Sequence, residues 1–187
     1  MRRRLAAAAA ERVAQVGYRR TTIGELARTA GISKGAFYTF YDSKEALFIE
    51  ILRDTETALR AEMQAAADRE GAPREILAGV FEALRAAVAD HPLLRVLAQP
   101  EESAALFRHL PPEFLEEAQA DDDRWFAELF SGLAARKIVD PAMVPVLVAL
   151  PRFWFALATG RSWLGDDFGP TTRLVVDALA HHLGGDS

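Results

Sequence analysis

Cysteine is absent from the 187-residue chain, which removes disulfide frameworks, thiolate nucleophiles and thiolate-bound metals together. Only four histidines occur. His181 and His182 are adjacent, so on a helix their side chains diverge by about 100° and do not readily share a metal. His91 and His109 stand near helix ends, where a ring can meet terminal carbonyls without any ligand role. No P-loop or dinucleotide fingerprint is found, and neither strand-like alternation nor an internal repeat. GRSWLG, Gly160 to Gly165, is one residue off a nucleophile elbow, and no strand precedes it. The run containing Glu116, Glu117, Asp121, Asp122 and Asp123 reads as a solvated helix face. No complete catalytic set remains, and the chain is expected to be no enzyme and to carry no cofactor or metal.

Long uninterrupted apolar runs are missing too. The longest, PAMVPVLVALPRFWFALATG from Pro141 to Gly160, approaches membrane-spanning length but holds three prolines and Arg152. It reads as a buried or subunit-contacting helix. The opening MRRRLAAAAAERV has a basic start, yet its alanine-rich stretch ends in Glu11 and Arg12 and runs on into a helix, unlike a signal peptide. With 50% hydrophobic and 26% charged residues, the chain is expected to fold as a globular, cytoplasmic protein with no membrane partner.

Charge is unevenly divided. Residues 1–53 carry ten Lys or Arg against five Asp or Glu, whereas residues 54–187 carry twelve against twenty-two. The overall charge of −5 thus hides a basic head, which suits a polyanion partner or forms a solvated basic face.

Within the head the pattern is helical. Leu5, Ala9, Val13 and Val16 make one apolar stripe ended by Gly17. Thr22 and Glu25 form a capping box ahead of Ile23, Leu26, Ala27 and Ala30. Gly31 interrupts, Ile32 plugs the turn, and Ser33 is the expected N-cap of a third helix to about Phe40. Asp42 and Glu45 repeat the capping logic before a long fourth helix to about Arg69. Two short helices around a glycine turn make a helix-turn-helix, whose third helix would carry Ser33, Lys34, Gly35, Tyr38 and Thr39 near its exposed side. Hydroxyls, two lysines near helix starts and a glycine that permits close backbone approach all suit phosphate and groove contact. Each residue also has an ordinary structural use as a cap, a helix residue or a half-buried aromatic.

Five further helical segments are expected near 73–90, 92–109, 112–137, 141–161 and 170–184, with prolines at or near their starts. Phe81, Phe114, Phe130, Phe153, Trp154 and Trp163, together with Phe107, Trp125, Phe126 and Phe155, supply aromatic volume for a packed core or a lined cavity. Pro151 suggests a kink beside Arg152 and Phe155. Arg152 would pair with an acidic ligand or with a carboxylate of the protein itself.

The stretch GYRRTTIGELARTAGISKGAFYTFYDSKEALF, residues 17–48, resembles the DNA-binding head of the TetR family of one-component bacterial transcription regulators. It matches that family's Gly-Tyr, Thr-Thr-Ile, Ala-Gly-Ile-Ser-Lys-Gly, Tyr and Ser-Lys-Glu-Ala-Leu in order and spacing. Phe40 stands where the family usually has a polar residue, and Tyr41 where it has Phe. Arg2, Arg3 and Arg4 are candidates for a minor-groove arm.

The resemblance implies an all-α fold with a helix-turn-helix domain at 1–48 and a helical ligand-binding and dimerisation domain at 49–187. Thr22, Lys34, Tyr38 and Lys44 would contact phosphates, while Ser33, Lys34, Gly35 and Thr39 would lie at the groove. The body would hold an apolar or aromatic effector near Phe107, Trp125, Phe126, Arg152 and Phe155. Residues 141–161 and 170–184 would pair with their copies in a homodimer, and the function implied is repression at a palindromic operator, released by the effector. The alternative is a helical ligand-binding or protein-interaction module without specific DNA binding.

Overall fold

The computed structural model describes residues 1–159 and 161–184, with the side chains of residues 88, 90, 162 and 163 outside that description. The GRSWLG reading and the aromatic role of Trp163 fall on those positions and lie outside the described residues. Among the described residues twelve α-helices follow one another: α1 (Arg2–Val16), α2 (Ile23–Thr29), α3 (Lys34–Phe37), α4 (Lys44–Ala67), α5 (Pro73–Asp90), α6 (Pro92–Leu97), α7 (Pro100–Phe107), α8 (Pro112–Ala135), α9 (Val144–Val148), α10 (Leu150–Thr159), α11 (Arg161–Leu164) and α12 (Phe168–Gly184). Among the described residues there is no strand. The all-α expectation therefore holds.

Several helix limits differ from the sequence pattern for local reasons. The segment expected at 92–109 is two helices. Pro100 lacks an N–H and forces Gln99 into an extended conformation, with ψ 122°. In the segment expected at 141–161, a 3₁₀ turn at Pro141–Met143 leads into α9, and α10 restarts at Leu150 with Pro151 in its first turn. Ser43, not Asp42, starts α4: its hydroxyl accepts from the Ala46 N–H at 3.0 Å. The third helix ends at Phe37, after which Tyr38, Thr39 and Phe40 donate to carbonyls three residues back, at 2.9–3.2 Å. Arg2 opens α1 and belongs to its first turn, so Arg2 to Arg4 form helix and not an arm. His91 sits at the N-cap of α6 and makes no capping bond.

The chain divides into two compact units. One, the head, comprises Met1–Thr57 and Asp90–Leu110; the other, the body, comprises Ala58–Ala89 and Pro111–Ser187. The head's core gathers Leu5, Ala9 and Val13 of α1, Leu26 of α2, Phe37 of α3, and Leu47 and Phe48 of α4. Leu93, Val96 and Leu97 of α6 and Leu106 of α7 join the same core. α1 packs on α6, and Ala8 and Ala9 of α1 are buried in the same core. The body buries Leu77, Val80 and Phe81 of α5, Phe126 and Phe130 of α8, and Trp154 of α10. α8 closes with Lys137 in the left-handed region, φ 61°. Ile138 and Lys137 donate to the carbonyls of Leu133 and Ala134, both at 2.9 Å, which is the bonding of a Schellman stop.

Candidate nucleic-acid interface

The helix-turn-helix is built from satisfied ends. At the start of α2 the Thr22 hydroxyl accepts from the Glu25 N–H at 3.3 Å, while the Glu25 carboxylate accepts from the Thr22 N–H at 3.1 Å and from its hydroxyl at 2.9 Å. Hydrogen bonds from the Thr22 side chain and backbone, and then the guanidinium of Arg12 at 2.6 Å, hold the Glu25 carboxyl below its ordinary value. At the end of α2, Ile32 donates to Ala27 and Gly31 to Arg28, at 2.9 and 3.0 Å, with Gly31 at φ 72°. That left-handed residue turns the chain sharply into α3, and glycine adopts it without a Cβ penalty. The Ser33 hydroxyl then accepts from the Ala36 N–H at 3.1 Å. Phe37 is fully buried and fixes the face that α3 presents.

That face is outward. Lys34, Gly35, Tyr38 and Thr39 are exposed, as are Ser33 and Thr22. The Tyr38 ring stands edge-on to Phe37 at 5.6 Å. Thr39 donates its hydroxyl to the Ala36 carbonyl at 2.7 Å. A Cβ placed on Gly35 would meet only the Ser33 hydroxyl oxygen, at 3.8 Å, so the fold itself gives no reason for glycine there. Phe40 packs half-buried against the head's core.

Two anchored groups follow α3 in the chain. The Lys44 ammonium donates to the Tyr18 and Thr21 carbonyls, both at 3.1 Å, and lies 3.9 Å above the Tyr18 ring centre. An ammonium has three protons, and these carbonyls take two. Burial pulls its pKa below the ordinary lysine value, against the opposing charges of Glu45 and Glu102. The Tyr18 hydroxyl donates to Glu45 at 2.5 Å. The second is Tyr41, whose hydroxyl donates to Glu50 at 2.7 Å, and Arg2 bonds the same carboxylate at 2.5 Å while covering the Tyr41 ring. Burial, with the hydrogen bond to Glu50, pushes the Tyr41 phenol up to about 12. Tyr41 in place of the usual Phe thus ties α1 to α4 through Glu50. Neither network has a local sequence signal, because its members lie 9 to 48 residues apart.

Residues 5–51 match the model described as bacterial regulatory proteins, tetR family. The chain is 31% identical over 127 residues to the HTH-type transcriptional repressor KstR2 of Mycolicibacterium smegmatis, covering 67% of this chain and 62% of that protein. The head, residues 5–51, belongs to the TetR family. It covers less than two thirds of the length of the curated relatives it matches. Among solved structures it is similar to the fatty acid degradation regulator FadR of Bacillus halodurans, with TM-score 0.73 and 16% identity over 96% of this chain and 93% of that one. It is similar also to FadR of Bacillus subtilis in complex with stearoyl-CoA, with TM-score 0.71 and 16% identity over 96% and 97% of the two chains. At such identity these structures show that the TetR fold extends through the body as well as the head.

Of the residues expected near an effector, Trp125 and Phe126 meet edge to face, with ring centres 5.0 Å apart. Phe107 belongs to the head unit and packs against its core. Trp125 lines an open cleft with Gln64, Asp68, Leu129 and Arg136, and Arg60 approaches its ring at 5.6 Å. Phe126 is buried, stacked near Phe130. Arg152 is exposed and bonded to Asp123, which is the carboxylate pairing, and Phe155 is half-buried. Among the described residues no group of His, Asp and Glu is placed to hold a metal ion.

Proposed function

We propose that the chain is a homodimeric transcriptional repressor that reads a palindromic DNA operator through α3 and releases it when a small effector binds the body. The observation that carries this reading is the outward face of α3. Lys34, Gly35 and Tyr38 lie exposed on a short helix whose caps and core contacts are already satisfied, in the basic part of the chain. Lys34 and Tyr38 would meet phosphates, and Gly35 would let backbone approach the groove. Ser33 and Thr39 would lie at the groove edge. Lys44 would offer its remaining proton to phosphate. The Thr22 hydroxyl is already committed to the capping box, so a phosphate contact there would replace its bond to Glu25.

A dimer is supported by apolar surface that one chain leaves uncovered. The stretch Pro141–Thr159 has mean hydropathy 1.6 with only 17% of its window buried. Val146, Phe153 and Leu174 are 61%, 48% and 69% exposed. Paired copies of about 141–161 and 170–184 would cover these side chains and set two α3 helices about one DNA turn, ~34 Å, apart. The stearoyl-CoA held by one FadR structure makes an acyl thioester the first effector class to try. Its binding would shift α4 and change the separation of the heads. It would act only through unequal affinity for the free and DNA-bound shapes.

Duplex binding measured over a salt series tests the reading. Affinity should fall linearly on a log–log plot, and Lys34→Ala should reduce the slope by about one. Salt-independent binding would remove phosphate contact from the account.

A further inference from the structure

We propose that Glu102 is a positioning residue for DNA binding: its carboxylate, at the start of α7, holds the loop between α1 and α2 in the shape that sets Thr22 and Lys44. The proposal rests on the DNA-binding reading above.

The loop, residues 17–22, bonds to few neighbours of its own. Thr21 closes it on Gly17 and Tyr18, and Lys44 gathers the Tyr18 and Thr21 carbonyls. Among the described residues its one long-range backbone donor bond runs to α7: the Arg19 N–H donates to Glu102 Oε2 at 2.9 Å. The carboxylate lies so close that a Cβ on Gly17 would stand 2.9 Å from Glu102 Oε1, and Gly17 is at φ 82°. Glycine at 17 therefore serves both the turn and the approach of this carboxylate. Glu102 also acts electrostatically on the Lys44 ammonium. One carboxylate thus touches the backbone that leads into the Thr22 cap and biases the nearest lysine. The neighbouring Arg19–Glu101 pair is 3.0 Å long but 55% and 81% exposed at its side chains, and such pairs contribute little.

α7 is not a neighbour of the loop in sequence; 83 residues separate Arg19 from Glu102. It lies in the segment Asp90–Leu110, which belongs to the head but is joined at both ends, along the chain, to helices of the body. A pull on that segment would be felt at the loop through this bond. Glu102 is in this sense a grip on the DNA-facing surface by a part of the chain tethered to the effector domain.

The test compares Glu102→Ala, Glu102→Gln and Glu101→Ala in the 187-residue chain. Three readouts are taken: thermal melting, hydrogen exchange at the Arg19 amide, and affinity for a duplex enriched by the wild type from a random double-stranded pool. Glu102→Ala should stay folded and melt lower by at most a few degrees, exchange faster at Arg19, and bind about tenfold more weakly, the scale of one hydrogen bond to a charged group. Glu102→Gln keeps an oxygen acceptor and should restore both protection and affinity. Glu101→Ala should change neither. Faster exchange with unchanged affinity would overturn the proposal while leaving DNA binding intact. So would a glutamine variant as weak as the alanine one, since the bond would then not be the cause. A wild type that enriches no duplex overturns the DNA reading and this proposal with it, and is recognised from the unmutated protein alone.

Discussion

Gly35→Ala separates the needs of the fold from the needs of binding, because the two should respond with opposite signs. In the free protein the added methyl has open space, its nearest neighbour being the Ser33 hydroxyl oxygen at 3.8 Å. Alanine in a helix is worth up to about 1 kcal/mol over glycine. In a chain of this size that corresponds to a melting temperature higher by at most about 2–4 °C. Bound to DNA, the same methyl would sit where backbone approaches the groove and would hold α3 away from its partner. Losing one contact there, about 1.5–3 kcal/mol when a charged group takes part, weakens binding by about tenfold to a hundredfold. Thermal melting followed by circular dichroism and operator titration on the same preparation read both quantities. An alanine variant that binds as well as wild type would refute the close approach at residue 35. One that melts several degrees lower would refute the open space described around it.

Other substitutions probe the remaining parts. Thr22→Ala should cost about 1 kcal/mol in denaturant melts at neutral pH, as loss of an N-cap does. Glu25 has a lowered pKa in the folded state, so its contribution is present above the ordinary glutamate range and lost as pH falls through the folded value. Acid titration of stability should therefore be flatter in Thr22→Ala than in wild type. Lys44→Ala strands the Tyr18 and Thr21 carbonyls; it should lower stability by about 1–2 kcal/mol and weaken DNA binding without changing the preferred sequence, as a selection repeated on the variant would show. Lys137→Gly removes the left-handed strain at the end of α8 and should raise the melting temperature, by about 1 kcal/mol equivalent.

The head was legible in the sequence because its signals are local. Thr22 with Glu25, Gly31 with Ile32, and Ser33 act within a few residues of themselves, and each fills in the structure the role its spacing predicts. Asp42 failed for an instructive reason. Ser43 is an equally good cap one residue later, and spacing alone did not choose between them. The networks of Tyr18, Lys44 and Glu45, and of Arg2, Tyr41 and Glu50, were not legible, since nothing in a linear pattern says which glutamate a buried phenol will meet. Nor was the placement of α6 and α7 with the head. Leu93, Val96 and Leu97 show only that a helix has an apolar face, not which core it enters. The pair Glu101 and Glu102 after Pro100 reads as ordinary acids in a first helical turn, and only the fold brings them to Arg19. In the body, aromatic content alone does not tell a lined cavity from a packed core, because both gather the same rings away from water.

The most direct test of the central claim is selection of bound sequences from a random double-stranded DNA pool by the purified protein at near-physiological salt. A regulator reading DNA through paired α3 helices predicts enrichment of one palindrome, with half-sites about one helical turn apart. A folded dimer, freed of bound small molecules by unfolding and refolding, that enriches no sequence would contradict the claim.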